Sequence, residues 1–199
     1  MDKRTLSYYE NNSHTFIKNT LSVEFAQVQD KFLECITKGG IILDFGCGSG
    51  RDTKYFLEKG YVVEAIDGSS KLCRMAGEYT GIDVKHMFFS ELSADNQYDG
   101  IWACASILHL PKEELKDVLR KMIIATKDYG YIYTSFKYGD FEGYRNERYY
   151  TDFTEASFID FIKDIPQMKM IEYWISEDVR LSRGEEKWLN LILQKLGTV

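Results

Sequence analysis

Two prolines in 199 residues, Pro111 and Pro166, leave no proline-rich stretch that could mark a linker. The four cysteines, Cys35, Cys47, Cys73 and Cys104, form no C-x-x-C pair, so nothing seeds a zinc site, and no metal is expected. Lone buried thiols fit a reducing compartment. No run approaches the roughly 18 apolar residues of a membrane span. The opening MDKRTLSYYENNSHTF has no apolar stretch of the signal-peptide kind, so a soluble cytoplasmic protein with no membrane partner is expected. Basic residues are the minority, 25 against 31 acidic for a formal charge of −6, which argues against a broad surface for nucleic-acid phosphates. Internal repeats and low-complexity segments are also absent.

Aromatic residues are plentiful, with 14 Tyr and 12 Phe, and this surplus needs a use in the core or in a pocket. The length suits one domain over residues 1–199. Leu21, Phe25, Val28, Phe32 and Ile36 recur at steps of three and four, which predicts an amphipathic helix over 20–36 and a helical cap over 1–36. After Gly39-Gly40 the pattern changes to short apolar runs, GIILDF, YVVEAI, VKHMFF, YDGIWACA and YGYIYTSF, with helix-length stretches among them. Ser69 or Ser70 can cap a helix to about residue 78, and Lys112 to Lys127 is a helix following Pro111. Strands alternating with helices imply a mostly parallel sheet covered on both faces. MKMIEYWISEDV and EKWLNLILQK, joined by RLSRGE, read as an antiparallel hairpin at one sheet edge. Residues 137–153, aromatic and charged, are expected to be a lid loop over a substrate.

IILDFGCGSGRD, residues 41–52, runs from a strand into a turn with Gly46, Gly48 and Gly50, where a ligand can press against main chain. A dinucleotide fold needs a third glycine at position 51, where Arg51 stands, and no G-K-[ST] follows to make a P-loop. Asp44, at the strand end, would repel a pyrophosphate and welcome an ammonium. The turn therefore calls for a ligand with a positive amine rather than a phosphate.

These residues carry a family resemblance. ILDFGCGSGRD resembles the first motif of class I S-adenosylmethionine (SAM)-dependent methyltransferases, VVEAIDGS the second, and YDGIWACASILHL the fourth. The likeness extends from about residue 37 onwards, and the branch it most resembles is the small-molecule, tellurite-resistance type. It implies an α/β, single-domain, Rossmann-like methyltransferase fold: a mostly parallel seven-stranded sheet, an antiparallel C-terminal edge strand, and helices on both faces. It also implies SAM as cofactor and S-adenosylhomocysteine as product. Carried over, Gly46, Gly48 and Gly50 would lie against the methionyl part, Asp44 would hold the amine, and Asp67 would accept bonds from the ribose hydroxyls. Gly68 and Ser69 would border the ribose, with Phe88, Phe89, Ser90 or Glu91 at the adenine and Ala103 beneath the methyl group. Arg51 and Asp52 would open the following helix, with Arg51 either binding the carboxylate or forming a surface salt bridge.

Methyl transfer needs alignment more than catalytic side chains. His109 is the candidate base, against a structural role at a helix start, while His14 and His86 have weaker claims. Cys104 follows Ala103 rather than the proline of cytosine methyltransferases, and the Asn-Pro-Pro-Tyr type of motif is missing. Tyr8 and Tyr9, placed ahead of the first helix, could face the sulfonium by cation–π attraction. Tyr138, Phe141, Tyr144, Tyr149 and Tyr150 could form the opposite wall, with Arg145 and Arg148 gripping an anionic substrate. Arg180, Arg183 and Trp188 read as edge and core residues. The leading expectation is a small-molecule methyltransferase, monomer or homodimer, that does not bind nucleic acid. A tRNA or protein methyltransferase and a non-catalytic SAM-binding protein stand as alternatives.

Overall fold

A computed structural model of the chain describes residues 2–180 and 186–197. The N-terminal region departs from the sequence expectation. Helix α1 spans Lys3–Thr20 and α2 only Ala26–Leu33, so Tyr8 and Tyr9 lie within the first helix rather than ahead of it. The apolar spacing over 20–36 reflects burial on one side, not one continuous helix. Phe32 and Ile36 do reach the core with Val28 and Phe25 against it, but Phe25 is the cap residue of α2 and Ile36 lies beyond its end.

The five apolar runs become parallel strands β1 (Ile41–Phe45), β2 (Val62–Asp67), β3 (Val84–His86), β4 (Tyr98–Ala103) and β5 (Thr126–Lys137). Between them lie α3 (Arg51–Glu58), α4 (Ser70–Thr80) and α5 (Lys112–Ala125). Ser69 caps α4 by accepting from Leu72 N at 3.2 Å, and Pro111 precedes α5, as their residue types favour. After β5 come a short hairpin of β6 (Glu142–Arg145) and β7 (Arg148–Thr151), helix α6 (Glu155–Ile162), and strands β8 (Met168–Glu177) and β9 (Lys187–Lys195).

The seven-stranded sheet runs β3-β2-β1-β4-β5-β9-β8, with the β8–β9 hairpin at one edge and β9 antiparallel to β5. Arg183 and the rest of the turn over 181–185 lie outside the described residues. The order reverses between β1 and β4, which opens a crevice at their carboxyl ends. Strand alternation divides the core. Ile42, Trp102, Tyr133 and Ile192 face Phe32 of α2 and Phe56 of α3, whereas Leu43, Ile101, Ile132 and Leu191 face the side holding Leu119 of α5 and Phe158 of α6. No helix of the described residues is long and apolar enough to cross a membrane.

Residues 137–153 are not the loop the sequence suggests but the β6–β7 hairpin, packed against α1 and the turn around His109. Its two-residue turn, Asn146-Glu147, has both φ angles positive, at 46° and 66°. That is the sense a tight hairpin needs to match strand twist.

Candidate functional site

The crevice at the carboxyl edge is floored by the turn after β1. Gly46 has φ 91°, and a Cβ there would sit 2.6 Å from Ser106 Cβ; Gly48 has φ 55°, and a Cβ there would sit 2.9 Å from the Phe16 ring. Both positions exclude side chains, and the second shows that α1 lies over the turn. Gly50 has another duty. It opens α3 at φ 78°, and a Cβ would press on Thr80 and Ala76 of α4 at 2.9 and 3.2 Å, so its bareness lets two helices pack. It is not among the cleft-lining residues.

The turn offers little to a phosphate. Gly46 N and Cys47 N both donate to Ile66 O at 3.0 and 2.9 Å, Gly50 N donates to Cys47 O at 3.0 Å, and Gly48 N donates to Asp67 Oδ2 at 3.0 Å. Four N–H groups that could have formed an anion cradle are consumed by the fold. Asp67, at the end of β2, also accepts from Ser69 N at 2.8 Å and lines the cleft. Burial raises its pKa, against the pull of those backbone donors.

Asp44 behaves differently from the expectation. It is buried, accepts from Thr53 Oγ1 at 2.5 Å, and does not line the cleft. Burial and then the neighbouring Asp52 carboxylate push its carboxyl up to about 8. The carboxylate in the cleft on this side is Asp52, which accepts from Gln29 Nε2 at 2.7 Å and Trp102 Nε1 at 2.8 Å. Arg51 also lines the cleft and forks onto Asp52 at 2.7 and 3.0 Å with its guanidinium 4.5 Å from the Phe25 ring, a largely buried pair rather than a surface one. Burial pulls the Arg51 pKa down, but Asp52 more than offsets this and the net shift is upward.

Of the other expected residues, Tyr9, Gly68, Ser69, Phe89 and Arg148 line the cleft with His109. Ser90 and Ala103 do not; Ser90 is exposed, and Ala103 is wholly buried in the sheet, one residue before Cys104, Ala105 and Ser106 reach the cleft. Glu91 is spent on its own turn, accepting from Phe88 N at 2.7 Å. Tyr138 and Arg145 border a second, neighbouring cavity, and Arg145 pairs with Asp152. Tyr149 points its hydroxyl to Glu142 Oε1 at 3.1 Å and lines neither. His86 is exposed and bonds Gly68 O at 3.0 Å.

Arg180 and Trp188 overturn the edge-and-core reading, because both line the cleft with Lys137, Asp178 and Asn190. Register explains this. Lys137, the last residue of β5, pairs with Trp188 near the start of antiparallel β9, so the hairpin delivers residues to the carboxyl edge. Asp178 there accepts from Arg180 Nε at 2.8 Å and Trp188 Nε1 at 3.1 Å, and despite burial these donors hold its carboxyl well below the usual range. Glu10 of α1 was also missed. It accepts from Ser69 Oγ at 2.5 Å and Ser70 Oγ at 3.0 Å, clamping α1 to the start of α4. One polar side chain on a helix with no clear apolar stripe gives no sequence signal.

His109 is fully buried between Tyr9 and β7. Nδ1 lies 2.6 Å from Tyr149 O, which can only accept, so Nδ1 carries the proton and Nε2 accepts from the Tyr9 hydroxyl at 2.7 Å. Burial lowers its pKa to about 4, opposed by the bond to Tyr149 O and reinforced by Arg148. The ring is therefore neutral and a poor base. With 6.5 as the unfolded value, the unfolded chain takes up a proton below that pH while the fold refuses it until about 4. Stability should fall as pH drops through this window, by about 2 kcal/mol between pH 7 and pH 5 from this group. Urea melts of the native protein and His109→Gln at both pH values check it: the variant should lose this part of the slope.

Comparison with known proteins follows the same lines. Residues 42–130 match a family model described as a methyltransferase domain. A Staphylococcus carnosus protein named only as an uncharacterized methyltransferase is 29% identical over 142 residues, covering 65% of this chain and 69% of that one. Among solved structures, the 1,6-didemethyltoxoflavin-N1-methyltransferase of Burkholderia thailandensis, with 1,6-didemethyltoxoflavin and S-adenosylhomocysteine bound, has a TM-score of 0.78. It is 19% identical, over 98% of this chain and 88% of that one. The magnesium protoporphyrin IX methyltransferase of Synechocystis PCC 6803, with SAM bound, has a TM-score of 0.68 at 16% identity over 98% of each chain.

Proposed function

We propose that this chain is a class I SAM-dependent methyltransferase that places the methyl group of its cofactor on a small-molecule acceptor by direct in-line displacement; its fold and the match of residues 42–130 to a methyltransferase domain model support the reading. The observation that carries this reading is the pairing of a half-buried, cleft-lining carboxylate, Asp67, with a glycine turn that has already spent four of its N–H groups, those of Gly46, Cys47, Gly48 and Gly50. Such a floor suits a nucleoside with hydroxyls and a positive amino-acid tail, not a phosphate.

Asp67 is assigned to the ribose hydroxyls, Gly46 and Gly48 to close approach of main chain, and Phe89 with Leu72 to the walls at the base. Asp52, not Asp44, is the carboxylate presented to an ammonium group, and Asp44 is its buried neighbour, bonded to Thr53. The bound cofactor supplies an electrophilic methyl on a sulfonium, and the protein's part is to align the acceptor and exclude water. Tyr9 serves this by closing the cleft from α1, and His109 holds the Tyr9 hydroxyl in place rather than acting as a strong base. Walls drawn from α1, β7 and the β8–β9 hairpin suit a compact acceptor, and the acidic balance of the chain disfavours tRNA. The experiment is turnover of methyl-labelled SAM with separate metabolite, tRNA and peptide pools. Label is expected in the metabolite pool, and transfer only to tRNA or only to peptide would overturn the small-molecule reading.

A further inference from the structure

Among the described residues, four cations line the main cleft: Arg51, Lys137, Arg148 and Arg180. Three are neutralised in place, Arg51 by Asp52, Arg180 by Asp178, and Lys137 by Asp178 and Glu186. Arg148 has no carboxylate partner among the described residues, and its buried Nε has no hydrogen-bond partner. Its guanidinium is instead held among rings, 4.5 Å from Tyr8, 5.3 Å from Tyr150 and 6.0 Å from Tyr9. The site around it is rigid. β7 fixes its backbone, Tyr149 N donates to Thr5 Oγ1 of α1 at 3.0 Å, and the adjacent His109 is neutral. Arg148 also borders the second cavity, where Arg145 is already matched to Asp152.

We infer that the methyl acceptor is an organic anion, and that Arg148 binds its oxyanion, a carboxylate or a phosphate group, while Tyr8, Tyr9 and Tyr150 cover its apolar body. This deepens the methyltransferase reading and rests on it. A cation withdrawn from water with no counter-charge is costly, and an oxyanion matched to the guanidinium fork removes that cost. An aromatic surround excludes water from the pair and favours a flat acceptor. Arg51 and Asp52 open α3 directly after the glycine turn, which leaves the cofactor's own charged groups to them.

The test uses the full chain. Affinity for S-adenosylhomocysteine is measured first by calorimetry, and benzoate and benzamide are then titrated into the saturated complex and into the free protein. Benzoate should bind the saturated complex about tenfold or more tightly than benzamide, its uncharged isostere. Arg148→Gln should lose that preference while keeping its S-adenosylhomocysteine affinity and its melting temperature, and Arg148→Lys should recover part of it. Equal binding of the two probes, no benzoate binding to the native complex, or a preference that survives Arg148→Gln would overturn the inference. So would a variant that loses affinity for S-adenosylhomocysteine instead, because Arg148 would then serve the cofactor. A folded native protein that takes no S-adenosylhomocysteine at all fails the methyltransferase reading itself, and benzoate binding to the free protein is then scored separately.

Discussion

Asp67→Ala is expected to weaken binding of SAM and S-adenosylhomocysteine by roughly 100-fold or more, since hydrogen bonds to a charged group contribute about 1.5–3 kcal/mol each and the ribose offers two hydroxyls. His109→Ala should cost far less, because the ring nitrogens of His109 are engaged by the Tyr9 hydroxyl and Tyr149 O, which leaves them no bond to give the nucleoside. The Asp67 carboxylate also ties down Gly48 N and Ser69 N, so the variant's melting curve must accompany its binding curve. A loss of affinity in a well-folded variant belongs to the ribose contact. Comparable losses for Asp67→Ala and His109→Ala would show that the second strand does not end under the ribose.

The second large effect is on stability. Trp102 is wholly buried in β4, stacked on Tyr133 with centroids 4.0 Å apart at 17°, and packed against Phe32 and Phe56 at 5.2 Å each. Trp102→Ala should cost about 3–5 kcal/mol, a fall of about 10 °C or more in Tm for a chain of this size. Its Nε1 also serves Asp52, so the change reaches the cleft floor. Trp102→Phe separates the two roles. It keeps most of the packing and should lose about 1–2 kcal/mol, yet it leaves an Asp52 oxygen short of a donor. Thermal melts with cofactor titrations of both variants check this: the phenylalanine variant should keep most of its Tm while binding the cofactor more weakly than the native protein.

Much of this architecture could be read from the chain, for identifiable reasons. β1, β2 and β4 are short, β-branched or aromatic, and flanked by turn residues, and Ser69 and Pro111 mark helix starts that the structure keeps. The glycine turn after β1 was legible because its spacing is local, and Asp67 meets it through the parallel pairing of β1 with β2 that the strand–helix–strand pattern implies. Long-range register was not. The approach of Arg180 and Trp188 to the cleft follows from the pairing of Lys137 with Trp188, which no local pattern announces. The β6–β7 hairpin was hidden because its turn uses Asn146-Glu147, where such turns usually display a glycine. A helical cap over 1–36 is expected from the sequence, but the bounds of α1 were not legible because its sequence, KRTLSYYENNSHTFIKNT, is polar on most sides, and few of its residues are fully buried. Its cleft contacts come from single residues, Leu6, Tyr9 and Phe16.

Asp44 is the instructive case. From the sequence, the Asp44 carboxylate is assigned to the ligand, but strand alternation aims that side chain at Thr53. The proposed role passes to Asp52, the second residue of α3, whose oxygens are set by Gln29, Arg51 and Trp102. Beside the glycine turn, the cleft-lining carboxylates are Asp52 and Asp67, with Asp44 as a buried neighbour.

Calorimetric titration of SAM into the folded protein, with NAD and ATP as comparison ligands, tests this most directly. The expected result is one equivalent of SAM bound and no measurable heat from either phosphate-bearing nucleotide. A folded protein that binds NAD or ATP and ignores SAM would contradict the assignment of the cleft and the activity drawn from it.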